Sequence, residues 1–212
     1  MPIKTLPCKY EGQHLLCSEL NMDADKTVVI IKKAARELFR KYGYYKTSVN
    51  ELAKQSNIAK ATFYKYFASK ELILHAVLMD YIQENVQDIL NKNIVNKDLH
   101  TFLANTILRV SRVTYTVCNE FVGWEFIRES ANAQEYLKTL SDDLEFLLLS
   151  SFIQNEHIGE TIPEEKLTFL IKTSKNIVFS FAFTAVTEAD VRKNFISFQK
   201  EILPYLVQAT LS

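Results

Sequence analysis

Apolar residues at Val28, Ile31, Ala35, Leu38, Phe39 and Tyr42 recur in steps of three and four, drawing one stripe along a helix. The same period runs through the rest of the chain, and no stretch alternates as a strand does. Breakers are few, with four Gly and four Pro in 212 residues, so the helices must be long. These features predict an all-α protein. No apolar run approaches the roughly 20 residues that cross a bilayer, and the N-terminus lacks the apolar core of a signal peptide. The expected setting is therefore cytoplasmic, with no membrane partner. Cys8, Cys17 and Cys118 are odd in number and follow no disulfide-framework spacing, which suits a reducing compartment. Cys8, His14 and Cys17 could donate to a metal, but no CxxC pair or fourth ligand accompanies them; no metal and no cofactor is expected, and residues 1–24 read as a polar tail with at most a short helical piece at 14–20.

Acids and bases balance at 25 each over the whole chain but not along it. Residues 26–80 carry 11 Lys+Arg against 4 Asp+Glu, whereas residues 81–212 carry 12 against 17. A basic module is joined to an acidic one, which suggests that the first meets a polyanion. The basic module also shows a particular order of elements. The stripe over 26–42 ends at Gly43, and Thr47 is placed to cap a short second helix that turns Val49, Leu52 and Ala53 inward. The pattern breaks at Ser56-Asn57-Ile58, where Asn tolerates the left-handed conformation of a tight turn. A third helix over 60–66 turns Phe63 inward and, with Phe67 four residues on, leaves Lys60, Ala61, Thr62, Tyr64 and Lys65 largely outside. Ser69 caps a fourth helix running to about residue 91.

Helix, tight turn and second helix with a basic, acid-free outer face is the arrangement of a helix-turn-helix reader, whose second helix fits the major groove of B-DNA, about 12 Å wide. A solvated helical hairpin would also carry lysines, so charge alone does not decide. The stretches AARELFRKYG (34–43) and TSVNELAKQSNIAKATFYKYFASKELIL (47–74) resemble the DNA-binding domain of the TetR family of transcriptional regulators, with TFYKYFASKELI the most specific piece. The resemblance implies that Thr47 and Ser48 touch the DNA backbone. It also implies that Lys60, Ala61 and Thr62 head the recognition helix, that Tyr64, Lys65 and Tyr66 brace it on bases and phosphates, and that Lys70 reaches a phosphate from the fourth helix. Two positions depart from the family pattern: Ala59 stands where a capping Ser or Thr is usual, and Asn57 where a turn glycine is usual.

The larger half is expected to hold helices over 99–116, 119–130, 135–154, 164–186 and 188–211, with the Gly159 and Pro163 region separating the last two from the rest. Residues 176–186 are apolar on more than one face. The excess is best covered by a second copy in a four-helix bundle, for which Phe179, Phe183, Phe195 and Ile202 are the candidate dimer contacts. Burial wholly within the monomer is the alternative, and Pro204 is placed to kink the last helix. Tyr115, Phe121, Trp124 and Arg128 mark a region where the resemblance implies an effector pocket, although any one of the rings could serve as ordinary core. No enzyme chemistry stands out: the four histidines are scattered, and there is no serine elbow, phosphate loop or HExxH pair.

The expected protein is thus an N-terminal three-helix helix-turn-helix domain (25–72) followed by a helical effector-binding and dimerisation domain (73–212). It would act as a homodimeric, sequence-specific DNA-binding regulator, a repressor released from a palindromic operator by a small apolar or aromatic effector. The rival is a DNA-binding protein whose second half docks a protein partner and has no inducer.

Overall fold

The computed structural model describes residues 17–92, 98–122 and 133–212. Among these, helices α1 (Cys17–Lys46), α2 (Val49–Gln55), α3 (Lys60–Tyr66), α4 (Lys70–Lys92) and α5 (Leu99–Phe121) come first. They are followed by α6 (Ala133–Ile153), α7 (Glu156–Gly159), α8 (Glu164–Thr184), α9 (Glu188–Ser197), a π turn (Phe198–Ile202) and α10 (Leu203–Leu211). No strand occurs among the described residues. None of their helices is long and apolar enough to cross a membrane.

The predicted stripe of the first helix is buried: Ile31, Ala35 and Phe39 are inaccessible to solvent. Helix α1 begins earlier than expected, taking in residues from Cys17 that had been assigned to the tail. Its regular path breaks at Gly43, where φ of 80° and ψ of 164° suit a residue without Cβ. Thr47 does not cap α2. Its hydroxyl donates to the Gly43 carbonyl at 2.9 Å and is buried, while Ser48 is the cap. The Ser48 Oγ accepts from the Glu51 N–H at 3.2 Å, and the Glu51 carboxylate accepts from the Ser48 N–H at 2.7 Å, a reciprocal capping box. Asn57 carries the expected positive φ, 54°, so the turn between α2 and α3 is built without glycine. Ala59 heads α3 with no side-chain cap, and the Ser69 Oγ accepts from the Leu72 N–H at 3.3 Å at the start of α4.

Helix α4 joins the two halves. It packs on α1, α5 and α6, and its buried row runs from Ile73 through Ile82 to Leu90. Two ion pairs, Lys32–Asp80 at 2.8 Å and Arg36–Glu84 at 2.9 Å, lie along its seam with α1, and the Arg36 guanidinium stacks over the Tyr81 ring. Helix α5 has no break near 116–119, because Val117, Cys118, Phe121 and Val122 carry its buried stripe onward. The rest of the helix expected over 119–130 lies outside the described residues beyond Val122. The connection around Gly159 forms the short α7. There a Cβ on Gly159 would collide with the Ile153 carbonyl, so only glycine fits.

The last helix is interrupted before Pro204. The Leu203 N–H bonds to the Phe198 carbonyl five residues back, so the chain takes a π turn ahead of the residue that has no N–H to give. Helices α5, α6, α8 and α10 enclose the core of the larger half.

Candidate nucleic-acid interface

Helix α3 is seven residues long and is held from one side by Phe63, which is wholly buried and packs its ring 6.0 Å from that of Phe67. That anchoring turns Lys60, Ala61, Tyr64 and Lys65 to solvent, with Tyr64 46% exposed and Thr62 and Tyr66 half-buried. Across the turn, Ser48 is exposed, though its hydroxyl is engaged with Glu51. No acid stands on α3, and Glu51 is drawn into the capping box, where hydrogen bonds from Ser48 hold its carboxyl below the usual range. The solvent face of α3 is therefore cationic and aromatic.

Two of the expected backbone contacts are corrected. Thr47 is 2% exposed, with its hydroxyl committed to the Gly43 carbonyl, so its side chain does not face outward. Lys70 points inward: its ammonium donates to the carbonyls of Tyr44 at 2.9 Å and Thr47 at 3.0 Å and sits 3.9 Å from the Tyr44 ring centroid. Partial burial lowers its pKa against the opposing influence of Glu71 and Glu51. Beside it the Tyr44 hydroxyl donates to Glu71. Burial, and then that bond, raise the Tyr44 pKa; burial pushes the Glu71 carboxyl up, but hydrogen bonds from Tyr44, its own backbone and Ser69 outweigh it and hold the group below its usual range. Lys70, Tyr44 and Glu71 thus form a clamp that fixes the chain between α1 and α2 against the start of α4.

This clamp makes a distinguishable prediction. Lys70→Met should lower stability by about 1.5–3 kcal/mol, since two charge-assisted bonds to carbonyls are lost, while the salt dependence of duplex binding keeps its slope. Chemical denaturation and a salt titration of the same variant would check it. A slope smaller by about one unit would return Lys70 to the phosphate row.

In the larger half, Tyr115 and Phe121 are core residues. Phe121 packs on Tyr81 of α4 at 5.8 Å, and Tyr115 meets Phe195 edge-on at 5.7 Å. Neither lines the small cavity of this half, and Trp124 and Arg128 lie outside the described residues. Phe195 is also corrected as a dimer contact, because its ring is buried against Tyr115 and Phe181. Of the other candidates, Phe183 is 60% exposed, and Phe179 and Ile202 are half-buried.

The small cavity lies between α5, α6 and α8 and measures about 20 Å³. Its walls are apolar except for Ser111, Thr114, Ser174 and Lys175. The hydroxyls of Thr114 and Ser174 are buried without a hydrogen-bond partner. Lys175 is 8% exposed and donates to the Ser141 carbonyl at 3.0 Å and to Glu145 at 2.7 Å, both on α6. No local motif in the sequence singles out this lysine. The available signal was its position four residues after Ile171 and three before Val178, on the buried stripe of α8. The α6 wall of the cavity is fastened to α4 by His75, whose Nε2 lies 2.8 Å from Asp143 and whose ring stands edge-on to Tyr136. An open cleft of about 690 Å³ runs separately between α5 and α9, lined by Tyr115 and Phe195 as well as by Arg112, Glu120, Glu188 and Arg192.

A capped helix-turn-helix with a cationic third helix, carried on an all-α body, defines a helix-turn-helix DNA-binding protein. Residues 31–77 match the family model of the bacterial regulatory proteins of the tetR family, so this part of the chain is similar to that family's DNA-binding domain. An uncharacterised HTH-type transcriptional regulator of Bacillus subtilis, YuxN, is 44% identical over 62 residues, a stretch covering 29% of this chain and 21% of that protein. A transcriptional regulator from Cytophaga hutchinsonii superposes with a TM-score of 0.60 at 18% identity, covering 89% of this chain and 100% of the other. RolR in complex with its ligand resorcinol gives 0.58 at 16% identity, covering 90% and 97%. At these identities the solved structures show a shared fold.

Proposed function

We propose that the protein is a dimeric repressor that binds a palindromic operator through α3 and releases it when a small apolar molecule enters the cavity between α5, α6 and α8. The observation that carries this is the single helix α4. Its first turn clamps the DNA-binding helices through Lys70 and Glu71, and further along it is tied to the cavity wall through His75 and Asp143. In this reading residues 25–72 bind DNA and residues 73–212 bind effector and partner, with α4 crossing the boundary. Thr62, beside the exposed Lys60 and Ala61, reads base edges, while Lys60, Lys65 and Tyr64 hold phosphates.

The cavity is small, so an effector must widen it by moving α6 or α8, and motion of α6 is passed to α4. A ligand releases DNA only as far as it prefers the conformation that cannot span two successive major grooves. A typical coupling of 1–3 kcal/mol weakens operator binding about 5- to 150-fold. The test is to select the duplexes the purified protein retains and then titrate small apolar compounds against that complex. Loss of DNA over the range in which the lone tryptophan, Trp124, changes its emission supports the reading. Compounds that shift the emission with operator affinity unchanged would instead favour a C-terminal half that docks a protein partner.

The dimer is proposed through the last helices, where Phe183, Val186 and Tyr205 leave large apolar surfaces exposed. Phe183→Glu is expected to convert the species seen by sedimentation from dimer to monomer while helicity is retained, because the residue makes no part of the protomer core. A wild-type protein sedimenting as a monomer at micromolar concentration overturns the proposal.

A further inference from the structure

The cavity between α5, α6 and α8 has polar atoms placed where an apolar pocket has no need of them. Thr114 on α5 and Ser174 on α8, 5% and 3% exposed, line it and carry buried hydroxyls with no partner. An unsatisfied buried hydroxyl costs stability, so its retention calls for a function. Lys175 lines the same cavity, and its ammonium has three N–H groups and spends two, on the Ser141 carbonyl and on Glu145. Donors and acceptors thus line a cavity otherwise walled by Leu144, Leu148, Ile171 and their neighbours. The present volume, about 20 Å³, admits one group the size of a hydroxyl.

Resting on the effector reading above, we infer that the ligand is a neutral, largely apolar molecule bearing one hydroxyl, of the phenol or alcohol class, whose oxygen meets Thr114, Ser174 and Lys175. The charge state follows from the pair already present. Glu145 lies 2.7 Å from the ammonium and cancels its charge, so a carboxylate arriving in the same dry space would leave an uncompensated anion. A neutral hydroxyl adds no charge. It accepts from the third N–H of Lys175 and donates to a side-chain hydroxyl, satisfying atoms that the folded chain leaves unpaired. The apolar body of the ligand then occupies the space that opens as Leu144 and Leu148 of α6 move outward.

Three probes of nearly the same shape separate the possibilities: para-cresol, para-xylene and para-toluate, titrated by calorimetry into the full-length protein. Para-cresol is expected to bind about tenfold tighter than para-xylene, the worth of hydrogen bonding to a charged donor, with para-toluate weaker than para-cresol. Ser174→Ala combined with Thr114→Val should bring para-cresol to within about threefold of para-xylene and leave para-xylene unchanged; Lys175→Met should do the same, and if that variant does not fold the hydroxyl pair decides. Para-toluate binding tightest overturns the neutral head group. Equal binding of para-cresol and para-xylene also overturns it while leaving the cavity as the effector site, and binding of none of the three overturns both readings.

Discussion

Lys60→Ala together with Lys65→Ala is expected to weaken duplex binding about thirtyfold for each recognition helix at about 0.15 M salt, and to reduce the salt slope by about two units per helix. Both ammonium groups stand on the solvent face of a helix whose opposite side is fixed by the wholly buried Phe63, so both are presented to the same phosphate rows. A lysine that neutralises a phosphate releases about one counterion, and losing two such contacts removes that share of the entropic driving force. In a dimer the effect doubles on the logarithmic scale. Sequence preference should survive, because Thr62, the residue assigned to base edges, is untouched. Fluorescence anisotropy of a labelled duplex over a salt series gives both quantities at once. An unchanged slope would mean that α3 does not lie against the DNA backbone.

The helix-turn-helix was legible because its signals are local. Asn57 supplies the one left-handed residue the turn requires, Gly43 the break before it, and Phe63 and Phe67 the inward face, and all three behave in the structure as their residue types predict. The error at Thr47 was also local and avoidable. A Thr and a Ser stand side by side, and the glutamate three residues after Ser48 completes a capping box that Thr47 cannot make. Lys70 was misread for a different reason. A lysine at a helix start looks outward in sequence, and the carbonyls of Tyr44 and Thr47 that draw it inward are more than 20 residues away.

Long-range placement also explains why the cavity residues of the larger half were not legible in the sequence. Tyr115 and Thr114 are neighbours in sequence and both are buried, but they point about 100° apart around α5. The aromatic ring, conspicuous in sequence, packs against Phe181 and Phe195, while the plain threonine faces the cavity. Lys175 could be placed on a buried stripe from spacing alone. Its partner Glu145 could not, since nothing local joins α8 to α6.

Phe63→Ala is expected to cost about 3–5 kcal/mol and to abolish duplex binding. The ring is wholly buried and is the only residue of α3 that is. A helix of two turns has no stability of its own in water, and this one begins at Ala59 without a side-chain cap. Its order therefore comes from Phe63 packed in the core formed with Phe39, Leu52 and Ile73. The loss should appear first as local opening. Amide exchange over residues 60–66 would speed up at denaturant concentrations where α5, α6 and α8, whose buried residues lie farther along the same continuous core, remain protected. Phe63→Leu, which keeps most of the buried area, should restore exchange protection and part of the binding. A Phe63→Ala protein that bound duplex DNA with wild-type affinity would show that α3 is held by something other than this ring.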